Sequence, residues 1–287
     1  MKHKNIITVL AFIIALFSGL ASSMGIFSHD GNGPYKYETI RGKEITIYGV
    51  GLYKHMSAEV APQGIAQDYV TFFVAIPFFL ISLFFARKGS IQGRYLLAGS
   101  AGYFFVTYMF YMTMGMYNIM FLPYVILCGS SFIALYLILN SFDTANIKKI
   151  FNEKTPVKLT GGFLLFNSIS ITFLWLGIVI PPLLDGSVIP VQVEHYTTLI
   201  VQGFDLSLLL PTAFISAVLL IRKQPAGYLF APVYFVFLSI LMSALTAKIF
   251  AMSTLGYNVI PAIFIIPFFN LAAILCAFAL LNNIKNE

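Results

Sequence analysis

The chain has 287 residues, 59% of them hydrophobic and only 10% charged, with a mean hydropathy of +0.87. A soluble domain carries roughly 25% charged residues, so the composition excludes an ordinary water-soluble globule. The formal charge of +6 does not make a nucleic-acid surface either, because Lys and Arg fall in small groups between apolar runs.

Eight apolar runs approach the ~20 residues that a bilayer core requires of a helix. They cover residues 6–27, 68–86, 94–114, 119–139, 159–183, 198–221, 227–252 and 259–281. Backbone groups in lipid must be satisfied within the segment, so the expected fold is all-α integral membrane with eight transmembrane helices. The first run also resembles a secretory signal, with a basic start and small residues near Ala21 to Ser23. Its place in the repeat described below argues for keeping it as a helix.

Between the first two runs, residues 28–67 form an outer loop. In "YKYETIRGKEITIYG" the residues Tyr37, Thr39, Ile45 and Ile47 alternate with polar neighbours around Arg41-Gly42-Lys43, which predicts a short β-hairpin. A lone hairpin is marginal in water, so it should rest on the helix ends.

Lys and Arg set the orientation. With the N-terminus in the cytoplasm, 12 of the 17 basic side chains fall inside, four fall in the first outer loop, and Lys248 is embedded in the seventh run. Both termini are therefore expected in the cytoplasm.

The chain also repeats itself. Gln67 and Asp68 are echoed by Gln202 and Asp205, Pro77 by Pro211, Arg87-Lys88 by Arg222-Lys223, and Gly93 by Gly227. Fixed-offset similarity of this kind marks a duplicated unit. The expected organisation is a first four-helix repeat over residues 1–140, a cytoplasmic linker over 141–158 with a brief amphipathic turn, and a second repeat over 159–287. Four helices is an even number, so the repeats run in parallel about an axis along the membrane normal.

The candidate site follows from that symmetry. Asp68, Asp205, Gln67, Gln202 and Lys248 all fall at the outer boundary of their helices. A twofold axis would set the two aspartates opposite one another as an acidic ring, with Lys248 between them, suited to a cation, a proton or an amine. The structural alternative is that each aspartate caps the start of its helix, where the macrodipole favours a carboxylate. Tyr103, Thr107 and Tyr111 share one face of the third helix and could line an aromatic pocket for an apolar molecule. Interfacial tyrosines are also ordinary in membranes. Ala98 and Gly102 read as a close-packing pair, and Asn167 and Asn270 as interhelical hydrogen-bonders.

His55, Glu59, Glu194 and His195 lie outside without HExxH or comparable spacing. Cys128 and Cys276 sit inside apolar runs and make no CxxC pair. No phosphate-cradling glycine loop, nucleophile elbow or haem motif occurs. No catalytic residue, cofactor or metal is expected, and no nucleic-acid partner.

The runs "GLYKHMSAEVAPQGIAQDYVTFFVAIPF", "ARKGSIQGRYLLAGSAGYFFVTYMFYMTMGMYNIMFLPYV" and "VQGFDLSLLLPTAFISAVLLIRKQPAGYLFAP" resemble an uncharacterised family of bacterial multi-pass membrane proteins. The resemblance implies the bacterial cytoplasmic membrane and carries no activity or site. The leading expectation is a protein that binds or transports a small molecule, lipid or cation between its two repeats. A sensor or assembly factor acting through a partner protein is a second reading, and an outer-face membrane enzyme a third.

Overall fold

A computed structural model describes residues 1–285. Ten α-helices and one two-stranded sheet follow in the order α1 (Lys4–Phe27), β1 (Tyr35–Glu38), β2 (Glu44–Ile47), α2 (Ala61–Val70), α3 (Ile76–Arg87), α4 (Ile91–Met114), α5 (Phe121–Leu139), α6 (Val157–Leu184), α7 (Ile200–Phe204), α8 (Leu210–Ile221), α9 (Pro225–Thr254) and α10 (Ala262–Leu281). A five-residue π-helical turn joins α2 to α3 and another joins α7 to α8, giving continuous rods Ala61–Arg87 and Ile200–Ile221.

Among the described residues, seven helices or rods are long and apolar enough to cross a membrane, which makes this a multi-pass membrane protein. The eighth expected segment, α4, is equally long at 24 residues but less apolar. Its composition has a packing reason. Gly99 lies against Val233 and Val236 of α9, where an added Cβ would come within 2.4 Å of Val236. Such close approach needs small side chains. The contact falls on Gly99 more than on Gly102, where an added Cβ would meet Phe237 of α9 at an ordinary 3.9 Å.

Burial sorts the helices into centre and rim. In the most apolar stretch of α9, 67% of residues are buried, against 17% for α6 and for α10. Phenylalanines such as Phe173, Phe264 and Phe268 stand exposed on the rim helices, where hydrocarbon tails rather than water would cover them. The segment between α5 and α6 reaches the end of α10. Its short 3₁₀ turn Ile147–Ile150 is followed by a bridge from Phe151 to Ile284, reinforced by Asn152 N–H donating to the Asn283 carbonyl.

The β-hairpin forms in the expected place, pairing Tyr35 with Ile47 and Tyr37 with Ile45. Ile45 and Ile47 turn inward, and β2 continues onto the segment before α2 through Ala58 N–H donating to the Thr46 carbonyl. The hairpin is thus propped on a helix entry, as its small size demands.

The two rods share a sequence of backbone events. Each runs through a π-turn (Thr71–Ala75, Asp205–Leu209) into a 12-residue helix whose second residue is proline. A proline ring clashes with the carbonyl four residues back and offers no N–H, and a wider turn just before it relieves both defects. The helices end alike, at Lys88 (φ −76°, ψ 0°) and Arg222 (φ −76°, ψ 2°). The next residues, Gly89 (φ +99°) and Lys223 (φ +54°), both turn left-handed. Gly93 then presses on the backbone of Phe85 and Ala86, and Gly227 on that of Leu219 and Leu220.

Every one of these pairs is 134 residues apart. The structural register therefore sets Asp205 opposite Thr71, and Asp68 opposite Gln202. The two aspartates are three residues out of step, so Asp205 sits about 4.5 Å deeper along its rod at 1.5 Å per residue.

Candidate functional site

The structure brings Asp68, Gln67, Tyr103 and Tyr111 together, but inside the first half rather than across the seam. Asp68 is eighth in α2, not at a helix start, so it caps no free amides. It is 1% exposed. Tyr53, from the outer loop, donates its hydroxyl to Asp68 Oδ2 at 2.5 Å, and the Tyr111 hydroxyl lies 3.1 Å from Oδ1 and 3.0 Å from the Gly64 carbonyl. On the α1 side, a Cβ on Gly25 would fall 1.8 Å from Asp68 Oδ2, so only glycine lets the carboxylate reach this position.

Deeper along the same face, the Gln67 amide donates to Thr107 Oγ1 at 3.0 Å, and the Thr71 and Tyr103 hydroxyls meet at 2.8 Å. Tyr108, Tyr111 and Tyr124 pack edge-on or stacked with ring centroids 5.6–5.8 Å apart. The hydroxyls of Tyr108 and Tyr124 are buried without a hydrogen-bond partner. This is a packed polar core, consistent with the rule that a carboxylate removed from water must be surrounded by donors.

Asp205 occupies a different setting. It is half-buried, and its Oδ2 accepts from Trp175 Nε1 of α6 at 2.8 Å. The expected acidic ring does not form, because each aspartate is turned into its own half and the two share no hydrogen-bond partner. Nor do Tyr103 and Tyr111 line a pocket, since their hydroxyls are spent on Thr71, Asp68 and Gly64. Lys248 does stand within Coulombic reach of both carboxylates. It is half-buried and at ion-pair distance from neither, the ion pairs among the described residues being Lys36–Glu44 and Lys54–Asp30. Asn270 meets Ser243 of α9 as expected of an interhelical amide, at 3.2 Å.

The open space lies above, between the halves. A crevice of about 580 Å³ is walled by the first outer loop (Lys43 to Val60), by Met114 at the end of α4, by residues 191–202, and by Tyr257. Gln202 is the one expected site residue that lines it. The two loops are latched to each other over this space. The Arg41 guanidinium donates to the carbonyls of Glu194 and Tyr196 at 3.2 Å each, and Lys43 Nζ to the Val191 carbonyl at 3.3 Å. The Tyr196 hydroxyl accepts from Ser57 N–H at 3.3 Å, and a His195 ring nitrogen meets the His55 carbonyl at 3.0 Å.

Glu59 and Glu194 both line the crevice. Glu59 stands at its exposed rim, where the wall desolvates the carboxyl and Glu194 repels its charge, so its pKa is raised, with Lys43 opposing. Glu194 Oε2 is buried with no hydrogen-bond partner, on a residue held at φ +50°, ψ −123°. Neither carboxylate has a cation at ion-pair distance among the described residues, since the nearby Arg41 and Lys43 are engaged by backbone carbonyls.

Several of these residues escape a reading of the sequence alone. Tyr53 lies in a loop 15 residues before the aspartate it serves, and Trp175 lies 30 before Asp205. The single tryptophan of the chain was the one available signal for the latter. Comparison with protein-family models, with curated proteins and with solved structures finds no match.

Proposed function

We propose that the protein spans the membrane eight times, as two four-helix halves inserted in the same sense with both termini in the cytoplasm. It binds a small molecule at the outer end of the seam between them. The single observation that carries this reading is the latched crevice of about 580 Å³, to which both halves contribute. Its size lies within the roughly 300–1,000 Å³ of small-molecule sites, and its position, between two units, is where such sites concentrate. In this reading α4 is the eighth span, shielded from lipid by α3, α5 and α9.

Matched interruptions in the two rods support the same conclusion. Paired broken helices in corresponding positions are a recurrent mark of transporters, and π-turns concentrate at functional places. Below the crevice α4 and α9 pack directly at Gly99, so a carrier of this form would be open outward and closed inward. The family resemblance of the sequence fits a bacterial cytoplasmic membrane.

The test is a thermal-stability screen of purified protein in lipid nanodiscs against a small-molecule library, run beside Thr198→Trp, which fills the crevice from an exposed wall position. A ligand at 100 times its Kd stabilises by about 2.7 kcal/mol, a shift of several degrees. The expected result is a chemical class that shifts the parent and not the variant. Shifts equal in both, or none across the library, would remove the crevice as a binding site.

A further inference from the structure

Resting on that reading, we infer that the crevice takes a monocationic amine carrying an apolar body, with Glu59 and Glu194 receiving the ammonium group. The crevice sets two carboxylates in one space, while Lys43, the one cation among its lining residues, and Arg41, outside the lining, are diverted elsewhere. Lys43 Nζ is bound to the Val191 carbonyl and Arg41 to those of Glu194 and Tyr196. The latch that closes the two loops is thus the same device that leaves the acids without a partner. Buried carboxylate oxygens normally have one, and Glu194 Oε2 has none among the described residues.

Counting charges fixes the valence. Two carboxylates against the Lys43 ammonium leave one negative charge on the crevice wall, which a single ammonium neutralises. A metal ion fits less well. Among the described residues no three His, Cys, Asp or Glu side chains converge on a point, and divalent ions prefer six or more oxygen ligands or a closed set of four. An ammonium needs only two or three acceptors, which Glu59, Glu194 and the Gln202 amide can supply. The remaining wall mixes apolar and aromatic side chains, Val60, Met114, Leu199 and Tyr257 among them, with the polar Thr46, Ser57, Gln192 and Thr198. An ammonium with a hydrocarbon or aromatic body meets both chemistries.

Three fluorescent probes decide the matter: a dansyl group on one pentyl chain ending in an ammonium, a hydroxyl or a carboxylate. They are titrated into the full chain in nanodiscs, with Glu59→Gln, Glu194→Gln and Thr198→Trp as variants. Each carboxamide is close in size to the carboxylate it replaces, so folding is checked by a retained cooperative melting transition. The expected result is that the ammonium probe binds at least about tenfold tighter than the other two, that each Gln variant loses about tenfold for that probe alone, and that Thr198→Trp loses all three. If the hydroxyl or carboxylate probe binds as well as the ammonium one and Thr198→Trp abolishes it, the amine is overturned while the crevice stands as a site. If no probe binds the parent, or all bind Thr198→Trp unchanged, crevice and amine fall together.

Discussion

The two rods, Ala61–Arg87 and Ile200–Ile221, carry the same backbone device and different side-chain surroundings. In the first half α1 packs along both α3 and α5, closing a bundle around Asp68. In the second, α6 packs along α8 but only brushes α10, leaving Asp205 half-buried with one indole partner. A π-turn followed by proline therefore accommodates the backbone in the same way in both rods, whatever side chains surround it. What the neighbouring acid does is set by how tightly the rest of the bundle closes.

The sharpest way to break this contrast is at the helix that closes each half. Gly25→Ala would thrust a methyl to within 1.8 Å of Asp68 Oδ2 and evict the carboxylate from its tyrosine partners. The expected loss is about 2–3 kcal/mol, as for overpacking of a tight core. Gly177→Ala on α6 meets nothing within 4 Å, and should stay within about 0.5 kcal/mol of the parent. Thermal or chemical unfolding in one detergent reports both.

One step smaller are the donors themselves. Tyr53→Phe removes a hydroxyl from a fully buried carboxylate, and should cost about 1.5–3 kcal/mol because nothing else can replace it. Trp175→Phe removes the donor to Asp205, which is less deeply buried than Asp68. Its cost should stay below about 1 kcal/mol. Equal costs would mean that the two acids are equally sealed. Smaller still, Tyr108→Phe and Tyr124→Phe delete hydroxyls that are buried without partners. Removing an unsatisfied group should be neutral or stabilising by up to about 1 kcal/mol.

How much of this was legible depended on whether the cause was local. Apolar runs predict the helices, alternation around Arg41-Gly42-Lys43 predicts the hairpin, and paired prolines point to the matched interruptions. The first rod starts at Ala61, seven residues before its predicted start, because "APQGIAQ" is polar enough to hide a helix that continues beyond the apolar run. The register was misjudged for a related reason. Aligning the aspartates with each other is the natural choice by residue type, yet backbone geometry aligns the prolines and leaves Asp205 opposite Thr71. The acidic ring failed with it, because the direction in which a helical side chain points is fixed by neighbours far away in sequence. Tyr53, Gly25 and Trp175 could not be assigned to the aspartates without tertiary packing.

The least of the expected effects tests the crevice rather than the bundles. Desolvation by the wall and the charge of Glu194 raise the pKa of Glu59 from its ordinary value. A carboxyl whose folded-state pKa is raised binds its proton more tightly folded than unfolded. Its contribution to stability is therefore complete below the unfolded value and is lost as pH climbs through the raised one. Melting midpoints of the parent taken from about pH 4 to 7 should carry this downward contribution, and Glu59→Gln, which cannot titrate, should flatten it. Glu194→Gln should shrink the same slope without abolishing it, because it removes the repulsion and leaves the desolvation. No such slope is expected from Asp143, an exposed carboxylate held below its usual range by Asn146, whose contribution runs the opposite way and disappears as pH falls. A Glu59→Gln profile that runs parallel to the parent would mean that Glu59 faces open water, and that the wall of the crevice does not close on it.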